Sequence, residues 1–118
     1  MEFDFLSPVD NEIIQYVSSL STQNMGSKVA FHTDKDFPDL DKIKIAIIGV
    51  PENRGDKKAY QESNLEYVRK EFYSLFPGNW QSSIADLGDI LPGNSLEDTF
   101  FALKKVASRL LKKGILPI

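Results

Sequence analysis

Ile43-Lys44-Ile45-Ala46-Ile47-Ile48-Gly49-Val50-Pro51 is the stretch on which the fold turns. It is short, rich in β-branched residues, almost unbroken in its apolar character and closed by a proline. A strand with no polar alternation is one covered on both faces, as the strands of parallel sheets are. A polar loop follows, from Pro51 to about Glu62. Ser63-Asn64-Leu65-Glu66 then reads as a capping box, opening a helix with Leu65, Val68, Phe72, Leu75 and Phe76 on its apolar face. Glu66 and Lys70 stand four apart as an exposed pair, and Pro77-Gly78-Asn79 stops the helix. Ser83-Ile84-Ala85-Asp86-Leu87 is a second, weaker strand ending at Gly88. After the turn Pro92-Gly93-Asn94, Ser95 opens a third helix with the stripe Leu96, Phe100, Leu103, Ala107, Leu110 and Leu111. Lys112 and Lys113 suit its negative end and Gly114 its C′ position. Gly114-Ile115-Leu116-Pro117-Ile118 begins a third strand. The alternation β-α-β-α-β over residues 43–118 implies a parallel sheet with right-handed crossovers.

Upstream, Ser7-Pro8-Val9-Asp10 predicts a helix start with Ser7 as cap and Pro8 at the first helical position. Val9, Ile13, Val17 and Leu20 share one face. Residues 28–33 can hold a short edge strand, and Asp34 to Asp41 is an acidic loop. Residues 1–42 are thus an added helix plus polar loop, and 1–118 a single domain. An apolar strand at the end is unusual for a parallel α/β unit, so the chain is expected to be the front end of a larger domain. Its strand 115–118 would offer an exposed edge for self-association.

Composition narrows the function. Hydrophobic residues make up 42% and charged residues 26%, ordinary for a globular chain. The net charge is −3 with the basic residues dispersed, so no nucleic-acid partner is expected. There is no cysteine, which excludes disulfides, zinc-thiolate sites and a Cys nucleophile and fits a cytoplasmic location. No signal peptide or membrane-length apolar run is present, and no membrane partner is expected.

The loop Gly49-Val50-Pro51-Glu52-Asn53-Arg54-Gly55-Asp56 is the best site candidate, because open α/β sheets gather ligands at the carboxyl ends of their strands. Arg54 can hold a carboxylate or phosphate and Asn53 can orient it; alternatively the Pro and Gly merely shape a turn. The loop carries neither Gly-x-Gly-x-x-Gly nor a phosphate-loop ending. His32, the sole histidine, has Asp34 and Asp36 nearby, but reads as a solvated residue. Asp86 and Asp89 can share a cation, although a turn whose carboxylates satisfy nearby amides is favoured. Phe72, Tyr73, Trp80, Phe100 and Phe101 read as core or helix-packing residues. No Ser-His-Asp or Cys-His set can be assembled, so no catalytic residue is assigned.

The order of these segments resembles the N-terminal third of the ureohydrolase superfamily, which comprises arginase, agmatinase and formimidoylglutamase. The matching pieces are Ile45-Ala46-Ile47-Ile48-Gly49-Val50-Pro51 with the Gly55 loop, Val68-Arg69, Ile84-Ala85-Asp86-Leu87-Gly88-Asp89 and Gly114 to Ile118. The Gly-Val-Pro-Glu-Asn-Arg-Gly loop is most similar to the formimidoylglutamase-like branch. The resemblance implies a three-layer α/β/α fold around a parallel sheet, its first three strands in the order 2-1-3. It implies hydrolysis of a guanidino or formimino C–N bond by hydroxide bridging two Mn²⁺ ions. The family's metal ligands lie in a Gly-Gly-x-His segment directly after the third strand, an Asp-x-His-x-Asp segment and a later Asp-x-Asp pair, all of which would be expected to follow Ile118. No metal ligand is therefore assigned, and the segment is expected to be inactive without the rest of a parent chain. Asn53 and Arg54 would line the mouth of the parent's active site, while Arg69 and Asp86 fall at positions that are structural in the family. A small α/β binding or interaction module is the alternative.

Overall fold

A computed structural model describes residues 2–51 and 65–118. The architecture is a mixed α/β arrangement with a five-stranded sheet. In chain order the elements are β1 (Leu6–Ser7), α1 (Asn11–Ser18), β2 (Val29–Phe31), β3 (Ile45–Gly49), α2 (Leu65–Tyr73), β4 (Ile84–Ile90), α3 (Leu96–Lys112) and β5 (Leu116–Pro117). β4 pairs with β3 on one side, and β3 in turn pairs with β5, both in parallel. The other edge of β4 is shared: β2 runs parallel along residues 84–86, and β1 runs antiparallel beside Asp89 and Ile90.

The sheet is therefore mixed, not wholly parallel, and segment 1–42 supplies two of its strands. β2 is only three residues long and leaves the carboxyl end of β4 uncovered. β1 fills that gap, and Pro8 then turns the chain into α1. Ser7 is consequently a strand residue whose hydroxyl donates to the Asp89 carbonyl at 3.3 Å. The cap of α1 is Asp10, whose carboxylate accepts from the Glu12 amide at 2.8 Å. With neighbours on both sides, β4 is the most buried strand, although its Asp and Gly content made it read as the weaker one.

Side chains of a strand alternate between faces, and the two faces of this sheet carry different clusters. Ala46, Ala85 and Leu87 pack with Leu6, Ala102, Val106 and Leu110, the α3 side. Ile84 packs with Val9, Ile13, Met25 and Tyr73, the side of α1 and α2. Each fully buried Val, Leu or Ile contributes about 1.5–3 kcal/mol, so these clusters outweigh any local propensity. Their choice of helix face differs from the sequence reading. α3 begins at Ser95, whose hydroxyl accepts from the Asp98 amide at 3.2 Å, and closes through Lys113 with Gly114 at positive φ. Its inward residues, however, are Thr99, Ala102, Val106 and Leu110, while Phe100 and Leu111 face out. Small side chains let the helix approach the sheet closely; a phenylalanine on that row would hold it away.

α2 turns Arg69 and Tyr73 inward, leaving Val68 exposed; Leu75 and Phe76 lie beyond its end and are exposed too. Its lysine also departs from expectation. Lys70 Nζ reaches Glu12 Oε1 of α1 at 2.8 Å and lies 5.7 Å from the Tyr16 ring, tying the two helices together. The Ser63–Asn64 cap lies outside the described residues.

β4 contains a bulge. Ile47 lies opposite Asp86, but Gly49 lies opposite Asp89, so β4 spends one residue more than β3 over this interval. Gly88 takes φ +88°, and a Cβ there would stand 1.8 Å from the Ser7 carbonyl oxygen. Only glycine suits that position. The extra residue resets the alternation, so Asp86 and Asp89 can serve the same partner although they are three apart, and Leu87 and Ile90 share the α3-side cluster.

Candidate functional site

At the carboxyl end of β4, four side chains form a buried charged group. Arg69, 8% exposed, comes from α2; Asp86, fully buried, comes from β4. Arg69 donates through Nε to Asp86 Oδ2 at 2.8 Å and through Nη2 to Asp86 Oδ1 at 3.0 Å, a bidentate fork. Nη1 donates to Asp89 Oδ1 at 2.8 Å, and Nη2 also to the Gly88 carbonyl at 3.1 Å. The Tyr73 hydroxyl, one helical turn beyond Arg69, donates to Asp86 Oδ2 as well. The Gly88 amide closes the set on Asp86 Oδ1 at 3.0 Å. Gly49 completes the close packing, since a Cβ there would meet Asp89 Oδ1 at 1.9 Å.

The electrostatics follow from burial. Desolvation alone would lower the Arg69 pKa, but the hydrogen bonds and charges of Asp86 and Asp89 outweigh it and raise it. Burial raises the Tyr73 pKa, and the Asp86 charge and hydrogen bond raise it further. The guanidinium is thus fixed as a cation and the phenol as a neutral donor, so neither is poised to exchange a proton. The group is a clamp. It fastens α2 to the rim where β3 and β4 end, which is where open α/β sheets assemble ligand sites.

Asp86 and Asp89 thus share the Arg69 guanidinium, not a metal cation. His32 is half-buried, not solvated. Its Nδ1 donates to the Leu87 carbonyl at 2.9 Å, its backbone amide donates to the Asp86 carbonyl at 2.9 Å, and its ring packs 4.8 Å from that of Phe37. A carbonyl only accepts, so Nδ1 carries the proton. Asp34 and Asp36 are exposed, and among the described residues no three His, Cys, Asp or Glu side chains come together as a metal site. Asn53 and Arg54, the residues assigned to the site from sequence, lie outside the described residues. Trp80, Phe100 and Phe101 are 42%, 52% and 54% exposed and are not core.

The resemblance marked Arg69 and Asp86 as structural, and the sequence grouped Asp86 with Asp89, but neither joined Arg69 or Tyr73 to the two carboxylates. The available signal was the i, i+4 placement of Arg69 and Tyr73 on a helix that precedes an Asp-rich strand. Compared with protein-family models, curated proteins and solved structures, the chain shows no match. Among the described residues, no helix is long and apolar enough to cross a membrane.

Proposed function

We propose that this chain forms the first part of a ureohydrolase-like α/β hydrolase acting on guanidino or formimino C–N bonds in the cytoplasm. The observation that carries the reading is the Arg69–Asp86 clamp, because both residues fall at positions that the resemblance marks as structural. The placement of β3 between β4 and β5 is compatible with a 2-1-3 order in a three-layer sheet. In this reading the clamp braces the strand ends from which the loop bearing Asn53 and Arg54 departs, and those two residues line the mouth of the active site.

The described residues do not fit a pair of Mn²⁺ ions. Asp86 and Asp89 are committed to Arg69, so metal ligands must come from other residues. When bound, a metal pair would supply an activated hydroxide; this segment supplies scaffold and rim. The 118-residue chain is accordingly expected to release neither urea nor ammonia from guanidino and formimino substrates with Mn²⁺ present, and Mn²⁺ should leave its melting temperature unchanged. Reading the coding sequence beyond Ile118 tests the family assignment directly. Gly-Gly-x-His within about ten codons supports it; a stop codon or an unrelated continuation refutes it.

A second reading, a non-catalytic interaction module, is favoured by a groove of about 260 Å³. Its walls include Ile45, Ile47, Val68, Phe72, Trp80 and Ile118. Self-association through strand 115–118 is expected of either reading. Leu116 and Ile118 are 55% and 68% exposed, but their amides are taken by Lys44 and Ala46 of the neighbouring strand segment. The outward position falls on Pro117, which has no N–H to offer. Sedimentation at increasing concentration tests that expectation: association supports it, and a strict monomer counts against it.

A further inference from the structure

We propose that the outer face of α3 docks on an anionic lipid bilayer. Between residues 104 and 113 the chain places Lys104, Lys105, Arg109, Lys112 and Lys113, with no acidic residue among them. The protein as a whole carries −3, so the rest of the chain is correspondingly acidic. The apparent dispersal of basic residues along the sequence conceals this concentration on one helix.

Packing fixes which face is free. Thr99, Ala102, Val106 and Leu110 point into the core, and helical periodicity places Phe101, Lys105, Ser108 and Lys112 on the opposite side, with the exposed Glu97 one turn before Phe101 as that face's acidic residue. Phe100, Lys104 and Leu111 form the adjoining row. Phe100, Phe101 and Leu111 are each more than half exposed. Phe101 is held in place: Phe5 meets its ring edge-on at 6.3 Å, and Lys105 Nζ lies 5.2 Å from its centroid. A cleft of about 260 Å³ lies along this row, walled by Lys104, Lys105, Arg109 and Lys112 together with Glu2, whose carboxylate lies close enough to Arg109 and Lys105 to be favoured by them.

The mixture of charges and apolar groups selects the partner. An acidic peptide or a nucleic acid would use the cations but leave Phe100 and Leu111 in water. A bilayer surface takes both, with lysines at the phosphate level and aromatic and leucine side chains in the interfacial layer. Because the chain is acidic overall, attraction through this face also orients the molecule. This departs from the expectation of no membrane partner, which rested on the absence of a spanning segment.

The test is sedimentation with phosphatidylcholine vesicles that contain or lack phosphatidylserine. Binding is expected only to the phosphatidylserine vesicles and should weaken as salt is raised. Lys104→Gln, Lys105→Gln and Lys112→Gln together should lower partitioning on the order of 100-fold, since each basic residue near such a surface contributes about fivefold, and reversal of all three to Glu should lower it further. Phe100→Gln with Leu111→Gln should also weaken vesicle binding. All these positions are exposed, and circular dichroism verifies that each variant is folded. Failure to bind, or binding unaffected by charge reversal, overturns the proposal. So does equal binding to polyglutamate or duplex DNA that is insensitive to Phe100→Gln and Leu111→Gln, which would make the face a general polyanion site.

Discussion

Replacing Arg69 by methionine tests the clamp most directly. The substitution keeps the aliphatic volume of the stem but removes four hydrogen bonds: two to Asp86, one to Asp89 and one to the Gly88 carbonyl. Asp86 is left fully buried with only the Tyr73 hydroxyl and the Gly88 amide as donors. Removing one partner of a buried ion pair costs about 3–5 kcal/mol, because the remaining charge keeps its desolvation penalty. A domain of this size is stable by about 5–15 kcal/mol in all, so the loss is a large share. Urea denaturation measures it as a lower midpoint at unchanged slope. Arg69→Lys should lie between wild type and Arg69→Met, since a point charge cannot span both carboxylates as the fork does. Arg69→Met combined with Asp86→Asn should recover at least about 1 kcal/mol, because the fully buried charge is then gone and only the partly exposed Asp89 carboxylate is left unpaired. A loss below about 1 kcal/mol for Arg69→Met, or no recovery in the double variant, refutes the argument that buried charge governs this region.

Gly88→Ala should destabilise more than Gly78→Ala, because both glycines have positive φ but only Gly88 faces a backbone oxygen. The left-handed conformation alone costs about 1–2 kcal/mol, and equal melting temperatures for the two variants would remove the clash from the account. A raised folded-state pKa at Tyr73 means that its contribution is complete below the unfolded value and is lost as pH rises above about 10. The wild-type urea midpoint should thus fall more steeply between about pH 9.5 and 11.5 than that of Tyr73→Phe; parallel profiles would contradict this. Glu12→Gln should leave the midpoint unchanged at neutral pH, because the Lys70 pair is solvent-exposed and such pairs contribute little. A clear loss would show that the α1–α2 link matters more than its exposure suggests.

The parts of the fold legible in sequence were those fixed locally. The β-branched run 45–49 forms its strand, Ser95 caps α3, and Gly114 follows that helix at positive φ. Illegible were the features decided by partners distant in sequence. Periodicity assigned Val68 to the buried face of α2, but Arg69 occupies it because Asp86, 17 positions away, neutralises the charge. Asp86, Gly88 and Asp89 depress strand propensity, yet they lie within β4 because the bulge and the guanidinium satisfy them. Aromatic bulk misdirected the α3 stripe by about one position, where steric fit to the sheet favoured Thr99, Ala102 and Val106. Of the clamp, the sequence showed Asp86 beside Asp89 at the end of a strand, and the resemblance marked Arg69 and Asp86 as structural; the assigned loop residues Asn53 and Arg54 lie outside the described residues.

The clamp also bears on how β4 finds its place. Neighbouring positions on this strand alternate between an all-apolar face and the face that meets α2. A slip by a single position would drive the Asp86 carboxylate among Ala102, Val106 and Leu110 and set Leu87 against the Arg69 guanidinium. Both misplacements penalise the shifted ladder at once. A strand of apolar residues alone would tolerate such an error far better, so the ionic group acts as a proofreading mark for sheet alignment.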